Sequence, residues 1–305
     1  MKNKVGIRAL LLVTGVFLSL AAGLHAQSYY HQDRAWNFVV NGQVDSAKKE
    51  IDLQMLEPGA DKNPDCWQTY GIVYTELYKK YEAANVQSPY RVMAFNAFKK
   101  SLAMDTVSAR VQTTRDYLKF FATRYYNDAV TTLDTANYSK SVQCYNMYRQ
   151  AALLGDPKFD IKKKDIEFYL ALASIYTVKY NMDRKANAPL FDSIRNTYNL
   201  VLALDPNNYS ANYNLGVIYW NKGVDLMYDI DYDDSLGVVF DVQDHSVELF
   251  KQSLPFAEKA YEMEPKREET LIVLSGIYYS LNEFEKSDKY KQMLDNLRNQ
   301  PKKPD

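Results

Sequence analysis

Three aspartates spaced two residues apart, Asp229, Asp231 and Asp233, come nearest in this 305-residue chain to a metal-binding loop, because hard cations such as calcium take clustered carboxylate oxygens. The surrounding stretch from Gly223 to Phe250 has no Lys or Arg and carries Asp225, Asp229, Asp231, Asp233, Asp234, Asp241, Asp244 and Glu248. The calcium-loop pattern then breaks down. Asp234 stands where the turn glycine belongs, and Phe240 where the closing Glu belongs. A solvated acidic loop over about 229–245 is the simpler expectation, with Gly237-Val-Val-Phe240 as a short extended segment inside it. Cys66 and Cys144, with His31 and His245, are too few and too scattered for a metal site. No phosphate-cradling glycine loop, no nucleophile elbow and no motif pairing a Cys or Ser with a His is present. The expectation is therefore a protein with no catalytic residues, no metal and no cofactor.

The elements that carry these residues show a stronger signal. Leu215 and Tyr219 lie four residues apart on one helical face, with Gly216 beside them to let a neighbouring helix approach. A second helix, roughly Ser246 to Met263, places Phe250, Ala257 and Ala260 along one face, and Pro265 stops it. The phrase returns: Asp205-Pro206 leads to Leu215-Gly216 and Tyr219, and Glu264-Pro265 leads to Ser275-Gly276 and Tyr278. Both Pro206 to Pro265 and Tyr219 to Tyr278 span 59 residues. Trp67, Tyr70, Gly71 and Tyr74 give a third copy near the start of the chain.

This pattern resembles the tetratricopeptide repeat (TPR), a helix–turn–helix unit with a 34-residue period, here enlarged by about 25 residues. The resemblance implies an all-α fold, a right-handed α-solenoid of about six helix pairs over residues 27–299, since one pair alone cannot bury its apolar stripe. The expected pairs are 28–57, 64–105, 107–155, 162–205, 209–264 and 267–299, followed by a disordered tail at 300–305. Ala35, Phe38, Gly42 and Ala47 fit the family's small, aromatic, turn and crossing positions. The third pair has Tyr117, Phe120, Phe121 and Tyr125 on its first helix but lacks the Gly–Tyr signature. Tyr81 to Pro89 and Asn181 to Pro189 read as enlarged loops. Cys66 and Cys144 then fall in different repeats as buried core residues, although an oxidising compartment would allow them to pair.

The first 26 residues read as a signal peptide, with Lys2, Lys4 and Arg8 ahead of an apolar run from Ala9 to Leu24 and a cleavage point after Ala26. That implies a periplasmic or secreted protein. Removing three of the 37 Lys and Arg leaves 34 against 38 Asp and Glu, a net charge of about −4, which argues against a nucleic-acid partner. No later apolar stretch approaches the roughly 20 residues of a spanning helix, so the mature chain is expected not to span a membrane.

In the TPR family the first helix of each pair lines a concave groove that takes up a peptide. Carried onto this chain, the groove positions are Trp36, Gln68, Ile72, Leu170, Ser174, Tyr213, Val217, Trp220, Ile272 and Tyr279, with packing against a neighbouring repeat as the alternative for each. The family's basic, asparagine-containing carboxylate clamp is not matched: Asn214 fits one position, but Ser210, Tyr213 and Val217 stand at others. The expected function is a non-enzymatic binding scaffold for another protein or peptide, with the acidic stretch favouring a basic partner. A solenoid that binds a small molecule or glycan, suggested by 26 Tyr, is the alternative.

Overall fold

The computed structural model describes residues 29–299. The signal segment at 1–26 and the tail at 300–305 lie outside the described residues. All regular structure among the described residues is helical, and the helices come in consecutive pairs. These are α1 (Tyr30–Val40) and α2 (Val44–Gln54), α3 (Pro64–Leu77) and α4 (Pro89–Met104), and α5 (Arg110–Thr131) and α6 (Tyr138–Gly155). They continue as α7 (Lys162–Met182) and α8 (Leu190–Leu204), α9 (Tyr209–Tyr228) and α10 (Leu236–Met263), and α11 (Glu268–Ser280) and α12 (Phe284–Arg298). No described helix is long and apolar enough to cross a membrane.

The chain forms two compact units. Among the described residues, one takes 29–132 together with 139–159, and the other takes 133–138 together with 160–299. α1 to α5 and nearly all of α6 belong to the first unit, and α7 to α12 to the second.

Two kinds of turn recur, and each follows from its residues. Asp156, Asp205 and Glu264 each precede a proline and end a helix in the same way. Their N–H groups donate to Ala152 O (2.8 Å), Val201 O (2.7 Å) and Ala260 O (3.0 Å). Their own carbonyls accept from Phe159 N (3.0 Å), Asn208 N (3.1 Å) and Arg267 N (3.2 Å). Proline cannot donate a helical hydrogen bond and turns the residue before it out of the helix, so the helix ends there. The tight turn within a pair needs a left-handed residue instead. Gly42 supplies it with φ 71° and Asn282 with φ 61°. In both turns the next N–H reaches back five residues, Gln43 to Phe38 O at 2.8 Å and Glu283 to Tyr278 O at 2.9 Å.

Small residues set the crossings. A Cβ on Gly216 would lie 3.2 Å from the Ala257 Cβ, and one on Gly71 would lie 2.8 Å from the Phe98 ring. The third pair packs as well despite its missing signature. Ser141 Oγ of α6 donates to Ala129 O of α5 at 2.7 Å, and the Tyr126 and Tyr148 rings lie 5.0 Å apart. Phe98, Phe121 and Tyr125 are buried at the core of the first unit. The core of the second unit gathers Ala173, Ile194, Tyr198, Val201, Leu215 and Tyr219, then Ala257, Leu274, Ile277 and Tyr278.

Two expectations are corrected. Gly237–Phe240 is not an extended segment but the opening of α10, and the irregular acidic stretch shrinks to the few residues before Leu236. Ser235 caps this helix through its side chain, which accepts from Val238 N at 3.4 Å, and the aspartates just ahead of it favour the positive end of the helix dipole. The segment from Tyr81 to Pro89 is also partly helical. A π-turn over Tyr78–Glu82 extends α3 and sets the Tyr78 ring against Phe121 and Arg91.

Candidate binding surface

α9 and α11, the first helices of the last two pairs, lie in contact within the second unit. Tyr213, Val217, Trp220 and Val224 follow one another at helical spacing along α9, and Ile272, Gly276 and Tyr279 do so along α11. Trp220 ties the two helices together. Its ring lies over Gly276, where a Cβ would come within 2.3 Å of it, and Nε1 donates to Ser280 Oγ at 3.1 Å. Tyr213 stacks on Tyr209 at 5.9 Å, and the Tyr209 hydroxyl pairs with Thr270 Oγ1 at 2.6 Å. Tyr213, Val217 and Trp220 are thus half-buried against the core that α11 completes.

Beyond Trp220 the surface opens. Val224, Met227, Tyr228, Phe250, Tyr279, Ser280 and Asn282 line an open cleft of about 350 Å³. Tyr228 is 86 % exposed and Tyr279 is 59 % exposed, so both present their rings to an incoming apolar group. Tyr279 is steadied by the Phe284 ring at 5.5 Å and the Lys291 ammonium at 5.5 Å.

The ten groove positions divide by burial. Tyr279 and Ile272 are exposed on α11, and Trp36 is exposed on α1 in the other unit. Ser174 is exposed on α7, its hydroxyl donating to Leu170 O at 3.0 Å. Leu170 packs on the core of its unit. Gln68 and Ile72 are buried. Gln68 Nε2 joins α3 to α5 by donating to Arg110 O at 2.9 Å and Thr114 Oγ1 at 2.8 Å. Met227 and Tyr228 were not among the expected residues. Their signal is the apolar spacing of α9 carried one turn past Val224.

The acidic residues near the cleft are partly answered from the loop after α7. Lys185 Nζ lies 3.1 Å from Asp229 Oδ1, and Arg184 pairs with Asp225. Asp231, Asp233 and Asp234 are exposed, with Asp234 accepting from Asp231 N at 2.8 Å. Among the described residues no group of three or more His, Cys, Asp or Glu side chains is placed to hold a metal ion.

Neither cysteine is set up as a nucleophile. Both are buried and free, and the Cys66 Sγ–H donates to Gln32 Oε1 at 3.1 Å. Burial, with a smaller contribution from Asp65, pushes the Cys66 thiol up to about 11 from 9.0, and burial raises Cys144 as well. Both stay protonated at neutral pH. Because the folded-state value is raised, the stabilising contribution is complete below pH 9 and is lost as pH climbs towards the folded value. Wild type is expected to lose about 2 kcal/mol more than Cys66→Ala between pH 8 and about pH 10.5, measured by urea unfolding. Equal losses in the two proteins would contradict the assignment.

No protein-family model matches the chain, and no curated protein does either.

Proposed function

We propose that this chain is an exported TPR-type scaffold, without enzymatic activity, that binds a peptide or a segment of another protein on its α9/α11 surface. The observation that carries the reading is the pair of exposed rings, Tyr228 and Tyr279, bordering one apolar cleft beside an acidic stretch. Aromatic anchors supply large contact area at low conformational cost, and the hottest positions of an interface are of this type. The exposed carboxylates of Asp231, Asp233 and Asp234 add selectivity for a basic partner, chiefly through association rate and salt dependence.

The test is a crosslinked pull-down from the cell envelope with wild type beside Tyr279→Ala. Trp220 is the wrong residue to change, because its ring holds α9 against α11. The proposal expects a protein enriched with wild type, depleted about tenfold or more with Tyr279→Ala, and an unchanged melting temperature. Equal recovery in both lanes would remove the cleft from the account. No recovery, with a melting temperature raised by a sugar, would favour a small-ligand solenoid.

A further inference from the structure

A second cavity, of about 420 Å³, lies between the end of α7 and the end of α9 and is lined by Tyr180, Arg184, Lys185, Ala188, Lys222, Asp225, Tyr228 and Asp229. Its two carboxylates are already matched, Asp225 by Arg184 and Asp229 by Lys185 at 3.1 Å. Two donors are left over. Lys222 has no carboxylate within ion-pair distance among the described residues. Tyr180 is 1 % exposed, and its hydroxyl has no hydrogen-bond partner among the described residues. Native structures rarely leave such a group unpaired, because the lost hydrogen bond to water is not replaced. Burial, and then the negative charge of Asp225, raises the Tyr180 phenol and keeps it a donor at neutral pH.

Three cations against two carboxylates leave one positive charge, and the spare groups are both donors. We propose that this cavity binds a single carboxylate group, with Lys222 as its counter-charge, the Tyr180 hydroxyl as its hydrogen-bond donor and the Tyr228 ring at its mouth. A neutral polyol would leave the Lys222 charge unanswered, and a dianionic phosphate would bring one charge too many. The carboxylate could come from the end of a peptide chain or from a small acid such as a sugar acid. Tyr228 borders both cavities, yet the inference does not require the apolar cleft to bind anything.

The test is calorimetric titration of the full chain with N-acetyltyrosine and with glucuronate, each beside its neutral counterpart, N-acetyltyrosinamide and glucose. At least one acid is expected to bind, about tenfold or more tightly than its neutral counterpart. Binding confined to N-acetyltyrosine assigns the site to a chain end, and binding confined to glucuronate assigns it to a small acid. Lys222→Gln is expected to weaken binding about tenfold. Tyr180→Phe is expected to weaken it about threefold while leaving the melting temperature of the free protein unchanged or higher, since the hydroxyl it removes is unpaired. The proposal is overturned if neither acid binds up to about 10 mM, if the neutral compounds bind equally well, or if Lys222→Gln has no effect.

Discussion

Replacing Asp128 by alanine is expected to lower the unfolding free energy by about 3–5 kcal/mol. Arg91 is the reason. Its side chain is 1 % exposed, and its Nη1 lies 2.5 Å from Asp128 Oδ2. Nη2 donates to Val86 O, and the guanidinium sits 4.2 Å from the Tyr125 ring centroid and 5.5 Å from that of Tyr78. Burial is the strongest single influence and works against the charge, but the hydrogen bond and charge of Asp128 together with the Tyr125 and Tyr78 phenols outweigh it, and the Arg91 pKa stands above its ordinary value. Asp128→Ala would leave a buried cation facing a carbonyl and two rings, with Nε already unpaired. Replacing both partners with apolar residues of similar volume, as in Arg91→Met with Asp128→Leu, should cost less than the single change, because no charge remains to be buried. Urea unfolding of wild type and these two variants checks this. A single variant as stable as wild type would mean that Arg91 finds water or another partner.

Gly276→Val is expected to destabilise the chain by about 2 kcal/mol, even though valine is a better helix former than glycine. The new Cβ would fall 2.3 Å from Trp220 Cζ2 and 2.6 Å from Cη2. The ring cannot simply swing aside, since Nε1 is held by Ser280 and the ring forms the contact between α9 and α11. In the Trp220→Ala background the same glycine change should cost little, because the space is already open. A double-mutant cycle in thermal or urea denaturation measures that coupling. Additive losses would show that Gly276 is not there to receive the ring.

Much of the architecture is legible in the sequence because it depends on local chemistry. The turns at Asp156, Asp205 and Glu264 follow from the prolines after them, and the turn at Gly42 follows from its φ of 71°. The crossing of α9 and α10 follows from two small residues, Gly216 and Ala257. The helical state of 236–240 was hidden, because Gly237 and the β-branched Val238 and Val239 speak against a helix, whereas the Ser235 cap and the aspartates before it favour one. The buried Arg91–Asp128 pair was hidden for another reason. Arg91 follows Pro89 in a first helical turn and reads as a surface charge, and its partner lies 37 residues away. The proposed binding surface was legible only in part. Helical spacing puts Trp220 and Tyr279 on the faces that first helices share. Which ring fills the seam and which meets solvent depends on where α11 crosses α9, and that contact joins residues 60 positions apart.

The most direct measurement is site-specific photocrosslinking in the producing cell, with benzoylphenylalanine placed at Tyr279 and, as a control, at Val107, which is 92 % exposed in the other unit. A scaffold that binds through the α9/α11 surface gives a discrete protein adduct from position 279 and none from 107. Adducts from 107 alone, or the same adduct from both positions, would contradict it.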